Sequence, residues 1–147
     1  MSYSKNYAFD AAPGLSKREP ALAALTSSGY VGTQHDQLAA TATDAMLIAN
    51  IESIVTNGAT GETYDFIIVG SNIANRSDGV ILGSAKTGKA SVIGTPETVD
   101  GIATHRIVVP FRTEKNRTKY RYIDLYLKVA GTAPSIAFSA YLSKEIS

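Results

Sequence analysis

The 147-residue chain contains no cysteine and no tryptophan, and only five prolines. Without thiols, a disulfide scaffold, a thiolate zinc site and a cysteine nucleophile are all excluded. Stability must come from packing or assembly. Charge is also sparse: 18% of residues are charged against 44% hydrophobic, the composition of an ordinary folded domain rather than of a disordered chain. No apolar run approaches the roughly 18–20 residues of a membrane-spanning helix. The start, MSYSKNYAFD, lacks the basic-then-apolar layout of a secretion signal. The length suits one domain with a sizeable core.

A formal net charge of +1 hides an asymmetry. Residues 1–85 carry four Lys/Arg and eight Asp/Glu, hence −4, whereas residues 86–147 carry ten and five, hence +5. Five of those cations, Arg112, Lys115, Arg117, Lys119 and Arg121, crowd into FRTEKNRTKYR. Near-neutrality overall gives weak long-range attraction to phosphate, and Glu114 interrupts the run. The stretch therefore reads as a charged hairpin loop, solvated or at a subunit contact. Neither nucleic acid nor membrane is expected as a partner.

Gly83–Ala90, GSAKTGKA, satisfies most of the phosphate-loop pattern G-x-x-x-x-G-K-[ST]. That chemistry needs a glycine-rich turn entering a helix, so that backbone N–H groups cradle phosphates, and a hydroxyl for magnesium. Here the hydroxyl position is Ala90, and SVIGTPETVDG follows, with β-branched residues, Gly94 and Pro96 where the helix should start. The segment is expected to be a turn or flexible loop between strands, with Lys86 and Lys89 in solvent or at a contact. No nucleotide cofactor is expected.

What the chain does contain is a two-residue hydrophobic period. In KYRYIDLYLKV, Ile123, Leu125, Leu127 and Val129 alternate with Tyr122, Asp124, Tyr126 and Lys128; in IAFSAYLS, Ile136, Phe138, Ala140 and Leu142 alternate with small and polar residues. Such alternation marks strands with one buried face, and AGTAPS between them makes the pair antiparallel. DAMLIANIESIV, TYDFIIVGS, GVILGSA, THRIVVPF and SGYVGTQHD supply five more strands, with Pro110 pointing to an edge or a strand end. About seven strands at this turn spacing predict an all-β sandwich or barrel. SKREPALAAL offers a short helix capped by Ser16. The rest of residues 1–28 reads as an extended N-terminal arm, ahead of a domain over residues 29–147.

Catalytic patterns are thin. His35 and His105 lie on different segments with no partner at ligand spacing, so no metal site is expected. There is no G-x-S-x-G elbow. Asp65 and Asp124 are mid-strand carboxylates that would suit a glycosidase only if they met in space. Tyr120, Tyr122, Tyr126 and Tyr141 have the shape either to stack on sugar rings or to furnish a protein–protein interface. A carbohydrate-binding module for host-surface glycans is thus the alternative to an interface protein.

Three stretches carry a family resemblance. GYVGTQHDQLAATATDAMLIANIESIVTNGATGETYDFIIVGSN, with Gly61-Glu62-Thr63-Tyr64 at a turn and Gly70-Ser71-Asn72 at a strand end, resembles the front half of the capsid cement (decoration) proteins of tailed bacteriophages, the family typified by the cementing protein of the Bordetella phage. GVILGSA continues the pattern. HRIVVPFRTEKNRTKYRYIDLYLKVAGTAPSIAFSAYLSK resembles the closing unit of that family, from a strand ending Pro-Phe to a Gly-Thr-x-Pro-Ser turn and a final strand. The match covers residues 29–144.

The resemblance implies a jelly-roll β-sandwich that forms a homotrimer on the outer surface of the phage head, made in the bacterial host cytoplasm. Its partner would be the major capsid protein of the same phage, and it implies neither enzyme activity nor a cofactor. On that expectation the arm contributes Tyr3, Tyr7 and Phe9 as anchors, and the domain contributes Arg112, Lys115, Arg117, Tyr122 and Tyr126 to an interface. The −4/+5 division would orient neighbouring copies head to tail.

Overall fold

Ile123, Leu125 and Leu127 are buried while Tyr122, Tyr126 and Lys128 between them are not, so the alternation read from the sequence is the alternation of the folded strand. The structure, a computed structural model, describes residues 16–55, 62–88 and 105–144. They form nine strands: β1 (Ser16–Arg18), β2 (Gly29–Thr41), β3 (Asp44–Ile54), β4 (Thr63–Ser71), β5 (Val80–Gly88), β6 (His105–Arg112), β7 (Glu114–Lys115), β8 (Thr118–Ala130) and β9 (Ile136–Lys144). Among the described residues there is no helix.

The strands divide into two antiparallel sheets, ordered β1-β9-β3-β6 and β2-β8-β4-β5, with the two-residue β7 folded back on β8. Each chain reversal but the β4–β5 hairpin and the β7–β8 turn carries the strand path from one sheet to the other, and the result is the jelly-roll arrangement of two interleaved Greek keys. All seven strands expected from the sequence are present, and β6, which carries Pro110, is an edge strand.

Inward side chains of both sheets make one core. Leu47, Ala49 and Ile51 of β3 and Phe138, Ala140 and Leu142 of β9 face Phe66 and Ile68 of β4 and Ile123, Leu125 and Leu127 of β8. Phe66 and Phe138 meet edge to face across the layer, with ring centroids 5.0 Å apart. That geometry suits the ring quadrupoles as well as the burial.

Two turns widely separated in sequence lock one end of the sandwich. Tyr64 is fully buried; its hydroxyl donates to the carbonyl of Val55 (2.5 Å) and accepts from the N–H of Ser135 (2.9 Å). Beside it the Ala133 N–H donates to the carboxylate of buried Glu62 at 3.3 Å. Gly131, at φ 111°, lies so close that a Cβ there would stand 2.9 Å from the Glu62 Cα. Only glycine fits.

Residues 16–25 correct the sequence reading. A helix is expected there, but Ser16–Arg18 pairs with β9 and Leu25 bridges to Ile136, so sheet membership starts at Ser16 rather than at Gly29. Ala21 at φ 65° interrupts any helical run. The Lys17 and Arg18 side chains outweigh the local propensity, because both are buried against the sandwich. Residues 83–88 correct it too: they are not a loop but the paired length of β5, with Lys86 3.6 Å from Asp65. Lys89 and Ala90 lie outside the described residues, as do Tyr3, Tyr7 and Phe9.

Candidate functional site

The outward face of the β2-β8-β4-β5 sheet carries most of the polar and aromatic residues that the core has no use for. On β8, period-two geometry sends Tyr122, Asp124 and Tyr126 to that side. Tyr126 meets Tyr30 of β2 edge to face at 5.0 Å, a contact set by the register that pairs the two residues directly. The Arg76 guanidinium sits 4.0 Å from the Tyr30 ring centroid and bonds Asp124 at 2.9 Å. Gln34 donates to the other Asp124 oxygen at 2.8 Å and to the carbonyl of Ala74 at 3.1 Å.

Asp124 is thereby buried on a face that should be wet, and its charge is met by Arg76 and an amide. The hydrogen bond to Asp124 drives the Arg76 pKa further above its usual value. The third member of this cluster reaches it from the other sheet. Lys17 of β1 donates to the carbonyls of Thr33 (2.7 Å) and Ile123 (3.1 Å). Burial lowers its pKa to about 8, with Asp124 opposing the shift. One lysine thus ties the edge of the first sheet to two strands of the second.

Next along the face, Arg121 grips Asp36 of β2 with two nitrogens, at 2.7 and 2.9 Å. Hydrogen bonding to Arg121 lowers the Asp36 pKa to about 2. Arg121 also lies 5.0 Å from the Tyr122 ring centroid. Asp36 in turn accepts from the Leu38 N–H at 2.7 Å, which starts a four-residue bulge: Asp36 pairs with Tyr122 and Thr41 with Tyr120, so residues 37–40 oppose one residue of β8. Gln37 closes the bulge by donating to the Tyr120 carbonyl at 2.7 Å.

The expected interface residues divide between two places. Tyr122 and Tyr126 are half-buried on the outward face just described. Arg112, Lys115 and Arg117 belong to the β6–β7–β8 hairpin, where Arg112 bonds Asp44 at 2.8 Å and Glu114 at 3.3 Å, and Lys115 donates to the Ile81 carbonyl at 2.9 Å. Asn116 and Arg117, both at positive φ, make the tight turn. The basic stretch therefore spans a hairpin, in which Arg112 and Arg121 are paired with carboxylates.

Other sequence pairings do not form. Asp65 pairs with Lys128 and Val69 with Asp124, so the two aspartates stand four residues apart along β4, roughly 13 Å. His35 and His105 belong to different sheets. Among the described residues no group of three or more His, Asp or Glu side chains is placed to hold a metal ion.

Comparison with known proteins adds no relative. A scan against protein-family models finds no match, and a search of curated proteins finds no similar sequence. The site has to be read from its own chemistry.

Sequence reasoning missed Lys17, Gln34, Tyr30, Arg76 and the Leu38 bulge. Tyr30 is the one with a usable signal, an aromatic on the polar phase of its strand. Arg76 sits in SNIANRSD, a run without periodicity.

Proposed function

We propose that this protein is a structural virion component that decorates and stabilises an icosahedral phage head, binding as a homotrimer across subunits of the major capsid protein. The reading rests on one observation above all: the segments that resemble the cement family fall on architectural joints. Glu62, Thr63 and Tyr64 open β4; Gly70 and Ser71 close it; Gly131–Ser135 is the turn that bonds back to Tyr64. A likeness distributed over mutually bonded turns supports a shared jelly roll better than the same likeness in one exposed loop.

The physical role fits the residues. A shell packed with DNA is pushed outward, and a clamp bound only to the assembled state shifts the equilibrium toward assembly. Such a clamp needs a stiff body and an adhesive face, with no reactive group. The two-sheet core supplies the first. Tyr122 and Tyr126, amphipathic rings braced by Arg121 and Tyr30, supply the second.

Glycan binding draws less support, because the Arg76 guanidinium already occupies one face of the exposed Tyr30 ring. The test mixes purified protein with undecorated heads and measures cosedimentation. Saturable binding at a copy number proportional to hexamers is expected, lost when Tyr122→Ser and Tyr126→Ser are combined. Failure to bind heads, together with specific retention on a glycan array, would replace the proposal.

A further inference from the structure

Exposed apolar side chains are not scattered evenly. Of the six large hydrophobics that are exposed among the described residues, Leu22, Tyr30 and Leu38 lie along the β1–β2 edge and Ile73 lies in the loop that Gln34 ties to β2. Leu38 is the most exposed of them at 79%. It also has φ 71°, a left-handed backbone that a bulky side chain adopts only where its surroundings impose it. They do impose it. Asp36 bonds the Leu38 N–H, Arg121 fixes Asp36, Gln37 bonds β8, and the Thr41 hydroxyl donates to the Ala39 carbonyl at 3.1 Å. The fold holds an apolar side chain rigidly out in water, with exposed Ala39 and Ala40 behind it.

A matching hollow lies at the other end of the same strand. A cleft of about 400 Å³ opens between β1 and β2, and Leu22, Leu25, Tyr30 and Val31 form its apolar lining. The bulge supplies what that lining lacks, an aliphatic side chain held out from the sheet. Cleft and bulge are separated by the stretch that pairs Tyr30 with Tyr126 and Asp36 with Tyr122, roughly 13 Å along the sheet, so one copy cannot fill its own cleft with its own knob. The whole edge, about 25 Å long on a sandwich about 20 Å thick, offers roughly 500 Å² before any interdigitation. That is the scale of the roughly 800 Å² per partner in a stable interface.

We infer that the Leu38 bulge of one copy seats in the β1–β2 cleft of the next, and that this contact, repeated around a ring, closes the trimer. The inference rests on the trimeric reading above and deepens it by naming the surfaces. Head-to-tail contacts of this kind form rings when the rotation closes.

The absence of cysteine makes the test direct. Leu38→Cys and Leu22→Cys are placed singly and together in the full chain, oxidised, and run under denaturing conditions beside sedimentation of the unmodified protein. The expected results are a covalent trimer from the double variant, covalent dimers from the two single variants mixed, and no link in either alone. Leu38→Asp should weaken association roughly 30-fold or more per contact. A trimer by sedimentation with no interchain link, a link of Leu38→Cys to itself, or a double variant that stops at a covalent dimer would each overturn the contact while leaving oligomerisation standing. A protein that sediments as a monomer at every concentration would remove the trimeric reading and the contact with it.

Discussion

Lys17 reaches from the edge of one sheet to the Ile123 carbonyl of the other, and the ammonium nitrogen stands 3.1 Å from that oxygen. A buried lysine held by two carbonyls is a clamp whose charge works against it, since burial pulls its pKa down to about 8 from 10.5. Below pH 8 both folded and unfolded chains carry the proton. Between pH 8 and 10.5 the unfolded chain keeps a proton the folded chain has lost, so stability rises with pH in that window. Measured against Lys17→Met, the unfolding free energy of the unmodified protein should climb by up to about 3 kcal/mol from pH 8 to pH 10.5. Parallel curves in urea denaturation would mean that Lys17 titrates normally.

Asp36 shifts stability in the same direction for the opposite reason, because here folding favours the charged form. Its pKa is lowered to about 2 by Arg121, so its contribution is present above the unfolded value of 3.8 and is lost as pH falls toward 2. Carbon-detected NMR titration of the carboxyl should place its midpoint near 2, and protection of the Leu38 amide should vanish over the same range. In Asp36→Ala, which removes the acceptor, that amide should lose its protection at every pH.

Tyr64→Phe tests the corner. Removing the hydroxyl leaves the half-buried Val55 carbonyl and Ser135 N–H without their partner, with a cost of about 1–3 kcal/mol in chemical denaturation. A cost near zero would mean that water replaces the hydroxyl.

At Gly32 the backbone of β2 passes close to that of β1. A Cβ there would stand 2.2 Å from the Lys17 carbonyl oxygen, and the residue sits at φ 77°. Gly32→Ala should therefore displace β1, expose Lys17 and Arg18, and make the chain susceptible to trypsin at those two sites while the core signal of circular dichroism persists. Unchanged resistance to trypsin would show that β1 tolerates the shift.

The sandwich was legible because its strands are long and half-buried: once Ile123, Leu125 and Leu127 face one way, Tyr122, Asp124 and Tyr126 must face the other. The outward polar face was legible only where it shares a strand with that pattern. Arg76 and Gln34 reach Asp124 from a loop and from a bulged edge strand, and neither position has a period that betrays it. Lys17 was misread for a related reason. A three-residue strand is too short to show alternation, and its burial depends on partners more than a hundred residues away. Leu38 escaped notice because a bulge adds residues to one strand alone and scrambles the phase around it.

The proposed role is mechanical: a protein that grips the subunits of a filled head should strengthen it. The most direct measurement is the temperature at which DNA-filled heads release their DNA, with and without saturating protein. The account predicts a higher release temperature when the protein is bound, and no gain from the Tyr122→Ser, Tyr126→Ser double variant. Saturable binding that leaves the release temperature unchanged would contradict it.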